Sequence, residues 1–111
     1  MLEKAWADLA AHRTRTVSHH LRELFAADNR RFASFSARLD DLLLDYSKTA
    51  VTAETVELLL ALAEAADVAA KRDAMFAGEP INTTEGRAVL HTALRNQSGR
   101  PVKVDGVDVM P

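Results

Sequence analysis

The most informative stretch of this sequence is GEPINTTEGRAVLHTALRN, at residues 78–96. Gly78 suits the end of a helix, because glycine adopts left-handed backbone conformations without steric cost. Pro80 then prevents any continuation, since proline has no N–H and clashes with the preceding turn. The apolar residues that follow recur at helical spacing. The pattern predicts that one helix ends at Gly78 and that an amphipathic helix runs from Thr84 to Asn96.

The start of this predicted helix carries a cluster of polar residues with two possible uses. Asn82 or Thr83 can cap the helix, and Glu85 follows Asn82 at the three-residue offset of a capping box. The same residues, 82–87, can also bind an anion, because helix N-termini present free N–H groups and Arg87 adds a cation. We favour the cap, since capping residues are common at helix starts.

Three polar side chains follow one another at four-residue spacing: Arg87, His91 and Arg95. On a helix, residues four apart share a face. A titratable histidine between two arginines can line a functional site. It can equally form a structural hydrogen-bonded network, which is the interpretation we prefer.

Elsewhere in the chain, apolar residues at helical spacing predict four further helices. Ser18 and Thr52 are the cap candidates for two of them, and Asp67 can restart or re-cap a helix that continues to Phe76. The predicted helices cover residues 2–12, the segment after Ser18 that includes Leu21, Leu24 and Phe25, the apolar stripe of residues 56–63, and residues 67–76.

Two short stretches read instead as β-hairpins. Asp40-Asp41 forms a tight acidic turn within residues 35–47, and Asp105-Gly106 is a two-residue hairpin signal within residues 102–109. The expected fold is therefore mostly α with small β-hairpins, an α+β arrangement over residues 1–111.

Composition bounds the function. The chain has 111 residues, enough for one domain or a piece of one. Its net charge of −2 argues against a general nucleic-acid binder, and no run approaches the roughly 20 apolar residues that span a bilayer. It contains no cysteine, which excludes disulfides and thiolate metal sites and is compatible with a reducing cytoplasm.

Other candidates for chemistry are weaker. His19-His20 suggests a metal, but neighbouring helical residues point about 100° apart and do not chelate together easily. Acidic side chains near the first hairpin turn can do acid–base chemistry, although aspartate in a tight turn more often caps its own backbone. A basic tract can meet phosphate or nucleic acid, but a solvated surface is the simpler interpretation. The acidic set is Asp40, Asp41 and Asp45, and the basic tract is His12, Arg13, Arg15, His19, His20 and Arg22.

Several words of this sequence resemble, in order, those of the glucose-6-phosphate isomerase (phosphoglucose isomerase) family. Early in the chain, Leu24-Phe25, Arg31-Phe32 and Phe35-Ser36 resemble the family's "LF…RF…FS" pattern. The longer words are LDYSK at residues 44–48, MFAGEPIN at 75–82, TEGRAVLHTALRN at 84–96, and VDG with DVMP at 104–111. The resemblance covers the chain from about Leu24 onward.

The resemblance implies an aldose–ketose isomerase that interconverts glucose 6-phosphate and fructose 6-phosphate through a cis-enediol. It implies a homodimer that acts on a sugar phosphate and uses no metal or organic cofactor. Together with the composition, this leads us to expect a cytoplasmic protein with neither nucleic acid nor a membrane as a partner. In the family a glutamate moves the proton, an arginine stabilises the negative oxygen, and a Ser/Thr-rich loop holds the phosphate.

The resemblance assigns no catalytic, substrate-binding, cofactor-binding or metal residue to this chain. The family's Gly-rich "GIGGSxLGP" loop is not in this sequence. We therefore expect residues 1–111 to be the N-terminal scaffold portion of a larger α/β isomerase fold, a fragment that is inactive alone. The alternative is an autonomous helical protein-binding or dimerisation module, supported only by the amphipathic stripes.

Overall fold

The computed structural model describes residues 1–110, and the chain forms two compact units, Met1–Leu62 and Ala63–Pro111. Short helices alternate with two small hairpins, as the sequence predicted. The helices are α1 (Leu2–Thr16), α2 (Leu21–Ala27), α3 (Arg31–Ser34), α4 (Ala53–Ala65) and α5 (Val68–Phe76), with a 3-10 turn at Ala93–Arg95. The strands are β1 (Ser36–Leu39), β2 (Leu42–Asp45), β3 (Lys103–Val104) and β4 (Val107–Asp108).

The first two helices differ from prediction at their ends. α1 continues to Thr16, four residues beyond the predicted end at His12. α2 is capped by His20 and not by Ser18, so that prediction was wrong. The His20 Nδ1 accepts from the N–H of Arg22 at 3.3 Å, and the Glu23 carboxylate accepts from the N–H of His20 at 3.2 Å. This reciprocal pair is a capping box built on histidine, and it places Ser18 outside the helix.

Arg31 and Phe35 form the centre of the first unit. Phe35 is the one apolar side chain that is buried among residues 1–110, and Arg31 is only 3% exposed. The guanidinium carbon of Arg31 lies 4.5 Å from the Phe35 ring centroid and 5.5 Å from that of Phe25. Tyr46 meets the Phe35 ring edge-on at 5.8 Å. A cation stacked on aromatic rings therefore replaces part of an aliphatic core.

The predicted hairpin within residues 35–47 is present. β1 and β2 are antiparallel, with Leu39 paired to Leu42 across the two-residue turn Asp40-Asp41. Asp40 takes the left-handed conformation (φ 51°), which aspartate tolerates better than most residues. The turn residues thus fixed the register of this sheet.

α4 begins as its cap candidate predicted. The Thr52 hydroxyl accepts from the N–H of Thr55 at 3.2 Å, and the Thr55 hydroxyl accepts from the N–H of Thr52 at 2.9 Å. Asp67 precedes α5 in the left-handed conformation (φ 59°) and makes no side-chain cap bond. A helix restarts at this point, but the expected aspartate cap is not formed.

Gly78 ends α5 as predicted. Its φ is +82°, and the N–H of Glu79 donates to the Ala74 carbonyl at 3.0 Å while the N–H of Gly78 donates to that of Met75 at 3.2 Å. This closure of a helix by a left-handed glycine satisfies carbonyls that would otherwise lack partners.

The amphipathic helix predicted from Thr84 to Asn96 is absent, and that prediction was wrong. Residues 82–87 instead form a closed turn in which Asn82 and Arg87 make an antiparallel bridge. Gly86 is left-handed (φ 63°), which interrupts a right-handed helix. Thr83 and Thr84 add β-branched residues that favour helices weakly. From residue 88 to residue 110, only Ala93–Arg95 is helical, as a single 3-10 turn.

The second hairpin follows the turn signal at residues 105–106. Lys103 pairs with Asp108 and Val104 with Val107. Asp105 (φ 50°) and Gly106 (φ 80°) are both left-handed, the combination that a type I′ turn requires.

Candidate functional site

The polar groups of the turn at residues 82–87 form hydrogen bonds with one another. The N–H of Asn82 donates to the Arg87 carbonyl at 3.1 Å, and the N–H of Arg87 donates back at 3.2 Å. The side-chain oxygen of Asn82 accepts from the N–H of Glu85 at 3.3 Å, while its amide nitrogen donates to the Glu85 carboxylate at 3.4 Å. Only one half of the predicted capping box, the bond from the Glu85 N–H to the Asn82 side chain, therefore forms, because the Asn82 N–H is bonded to Arg87 and no helix follows. These N–H groups are occupied and a carboxylate lies beside them, which disfavours an anion site.

The predicted polar stripe is not a helix face. Arg87, His91 and Arg95 are all exposed, and Arg87 belongs to the turn whereas Arg95 belongs to the 3-10 helix. The one contact between them is a long bond from the Arg95 guanidinium to the His91 backbone carbonyl, at 3.4 Å. The stripe thus provides neither a site nor a side-chain network.

A cavity of about 550 Å³ lies within the second unit, between the turn at residues 82–87 and the second hairpin. Its lining is mostly apolar, with Leu90, Leu94, Val104 and Val109 among its walls. Arg87 and Asp105 are the charged residues at its edge. A single cation beside an apolar wall does not amount to a phosphate cradle or an acid–base pair.

The strongest side-chain cluster joins α1 to α4 in the first unit. His12 is 2% exposed, and its Nε2 lies 2.7 Å from the Thr55 hydroxyl. Its Nδ1 lies 3.2 Å from a Glu54 carboxylate oxygen, at an angle that makes no hydrogen bond. Arg15 contacts the other Glu54 oxygen at 2.7 Å. The Glu54 carboxylate, the His12 imidazole and the Thr55 hydroxyl follow one another in the order of a nucleophilic triad. The Thr55 hydroxyl, however, already accepts a hydrogen bond from the Thr52 N–H at the cap of α4.

Sequence reasoning placed His12 in a solvated basic tract, and the structure buries it. The available signal was its position on α1: Leu9, His12 and Thr16 follow at three- and four-residue spacing on the buried side. The rest of the tract agrees with the surface interpretation, because Arg13, Arg15, His19, His20 and Arg22 are exposed. His20 serves as a helix cap, so the pair His19-His20 does not act as a chelate here.

The acidic residues of the first hairpin act on their own backbone. The Asp45 carboxylate accepts from the Ser47 hydroxyl at 2.6 Å and from the Ser47 N–H at 2.9 Å. These bonds hold the pKa of Asp45 below its ordinary value of 3.8, with Lys48 adding to the effect. Asp40 and Asp41 lie exposed in the turn. The arrangement suits backbone capping and not general acid catalysis.

Within residues 1–110, no three His, Asp or Glu side chains come together in a way that could hold a metal ion. No helix in the same range is both long enough and apolar enough to cross a bilayer.

Comparison with known proteins gives the chain its family. The family model described as "Phosphoglucose isomerase" matches residues 45–111. A glucose-6-phosphate isomerase of Methylococcus capsulatus is 56% identical over 107 residues, which are 96% of this chain and 20% of the relative. One from Rhizobium etli is 62% identical over 96 residues (86% and 18%), and one from Chelativorans is 58% identical over 103 residues (93% and 19%).

All three of these relatives carry the name glucose-6-phosphate isomerase. The chain belongs to the phosphoglucose isomerase family, and it spans about a fifth of the length of the curated relatives it matches. The matches lend no support to the alternative of an autonomous helical module.

Proposed function

We propose that this chain is the N-terminal scaffold part of an enzyme that interconverts glucose 6-phosphate and fructose 6-phosphate. The proposal rests on sequence identity of 56–62% to glucose-6-phosphate isomerases over almost the whole chain. The match extends across both units, which supports assigning both to the same isomerase.

In this proposal the chemistry belongs to residues outside the chain. An aldose–ketose isomerisation moves a proton between C1 and C2 through a cis-enediol, which needs a general base and a group that stabilises the enediolate oxygen. A dianionic phosphate also needs several converging donors. The clusters of residues 1–110 have other uses: Asp45 caps Ser47, and Glu54 pairs with Arg15. The chain alone is then inactive.

The role left to these residues is structural. Arg31 and His12 are buried polar groups that each link segments distant in sequence, the arrangement expected of a scaffold. For the complete enzyme the resemblance supports a cytoplasmic homodimer that acts on a sugar phosphate, without metal or organic cofactor.

A coupled isomerase assay tests the proposal. The 111-residue chain is compared with a chimera in which it replaces the 107 aligned residues of the Methylococcus capsulatus relative. We expect no turnover from the chain alone and turnover from the chimera. Turnover by the isolated chain would place catalysis within residues 1–111. A folded but inactive chimera would show that these residues do not serve as the isomerase scaffold.

A further inference from the structure

The first hairpin has one wholly apolar face. Residues paired directly across two strands share a face, and successive residues alternate between faces. The observed pairing of Ala37 with Leu44 and of Leu39 with Leu42 therefore sets these four side chains on one side of the sheet. The other side carries Ser36, Arg38, Leu43 and Asp45.

This apolar face points into solvent. Leu39, Leu42 and Leu44 are 71%, 66% and 60% exposed, whereas Leu43 on the opposite face is 42% exposed. Three large aliphatic side chains side by side on a rigid sheet form a contiguous patch, and a patch of this kind marks a contact surface.

The hairpin is held firmly at its base, so the face is presented in a fixed position. The N–H of Tyr46 donates to the Phe35 carbonyl at 3.0 Å, which extends the pairing beyond the strands. The Arg31 Nε donates to the Ser47 carbonyl at 2.8 Å. These contacts anchor the hairpin at the end opposite its turn, and none of them involves a residue of the leucine face.

The size of the face indicates what covers it. A stable interface between separate proteins buries about 800 Å² on each side, far more than three leucines and an alanine provide. A segment of the same polypeptide needs much less area, because covalent linkage gives it a high effective concentration. Relatives of this chain are about five times as long, so a protein of that length contains additional polypeptide from which such a segment can come.

We infer that the leucine face of the first hairpin is the docking surface for an apolar segment of the remaining four-fifths of a family-length isomerase chain. The acidic turn residues Asp40 and Asp41 lie at one end of this face, so a Lys or Arg beside the apolar segment would complement them. This inference rests on the proposed function, because it assumes that the chain works within a longer protein.

Thiol labelling tests the inference, since the chain contains no cysteine. Leu42→Cys and Leu43→Cys are adjacent in β2 but on opposite faces, which makes them a matched pair. Each is labelled with a maleimide, in the isolated chain at low concentration and in the Methylococcus chimera, and the labelled peptide is identified by mass spectrometry. A denatured sample gives the unprotected rate, and the circular dichroism of the unlabelled chimera reports its folding independently of its isomerase activity.

In the chimera we expect Leu42→Cys to react at least about tenfold more slowly than in the isolated chain, and Leu43→Cys to change by less than about threefold. Equal rates for Leu42→Cys in both proteins would overturn the inference. Protection of Leu42→Cys in the isolated chain that disappears on dilution would assign the face to a second copy, and would overturn it as well.

The two proposals fail in different ways. An active chimera with a freely labelled Leu42→Cys retains the proposed function and refutes the docking surface. A chimera that is protected at residue 42 but inactive retains the docking surface and refutes the function.

Discussion

The Nε of Arg31 donates a hydrogen bond to the backbone carbonyl of Ser47 at 2.8 Å, with both residues buried. One Nη of the same guanidinium reaches the carbonyls of Thr49 at 2.8 Å and Val51 at 2.9 Å. No carboxylate takes part in these contacts. Arg31 therefore fastens the segment between β2 and α4 by its carbonyls, and the Phe35 ring beneath it shields the cation.

We predict that Arg31→Ala lowers the free energy of unfolding of the first unit by about 3 kcal/mol, because several charge-assisted hydrogen bonds and the stacking are lost together. Arg31→Lys keeps the charge but not the planar fork, and should cost about half as much. Urea unfolding followed by circular dichroism measures both. Arg38→Ala, at an exposed position of β1, is the control and should stay within about 0.5 kcal/mol. Equal effects at positions 31 and 38 would contradict the assigned role.

The His12–Thr55 contact should couple α1 to α4. We predict a coupling energy of about 1 kcal/mol between His12→Ala and Thr55→Val in a double-mutant cycle. The cycle is needed because Thr55→Val also removes the bonds to Thr52. His12→Ala combined with Thr14→Ala is the matched control, since the Thr14 hydroxyl bonds only within α1 to the Ala10 carbonyl. Additive effects for the His12–Thr55 pair would show that the contact contributes nothing to stability.

Local chemistry explains what the sequence predicted correctly. The hairpins depend on residues 40–41 and 105–106, which tolerate left-handed backbone, and the end of α5 depends on Gly78. These signals act over two to five residues, so they survive in almost any context. The start of α4 at Thr52 is of the same kind.

The contacts that the sequence did not predict join residues far apart in the chain. Arg31 meets carbonyls 16–20 residues away and His12 meets a hydroxyl 43 residues away, and no spacing rule reveals such partners. The helix expected over residues 84–96 failed for a different reason. An amphipathic period supports a helix only when its apolar face is buried, and the closed turn with its left-handed Gly86 prevailed. The absence of a catalytic assignment rested on the family resemblance, and it remains a prediction.

The pKa of Asp45 should respond to Ser47. The Ser47 hydroxyl is the main cause of the lowered pKa, followed by the Ser47 N–H. Because the folded pKa lies below the ordinary value of 3.8, Asp45 stabilises the fold above that pH, and its contribution is lost as the pH falls through the folded pKa. Ser47→Ala should raise the pKa toward 3.8, as followed by carboxyl NMR. An unchanged pKa would assign the shift to the backbone alone, and Asp45→Asn should remove this part of the acid sensitivity.

Two glycines with the same sign of φ should respond differently to alanine. A Cβ on Gly78 would lie 2.2 Å from the Lys103 carbonyl oxygen, which is backbone and cannot rotate away, whereas a Cβ on Gly86 meets nothing within 4 Å. Gly86→Ala should therefore cost only the left-handed conformation, about 1 kcal/mol, while Gly78→Ala adds an overlap and should cost about 3 kcal/mol. Amide NMR of Val104 and Val109 reports whether β3 and β4 survive. Gly78→Ala should disturb these signals and Gly86→Ala should leave them in place. The same small effect from both substitutions would show that the α5 end does not rest against β3.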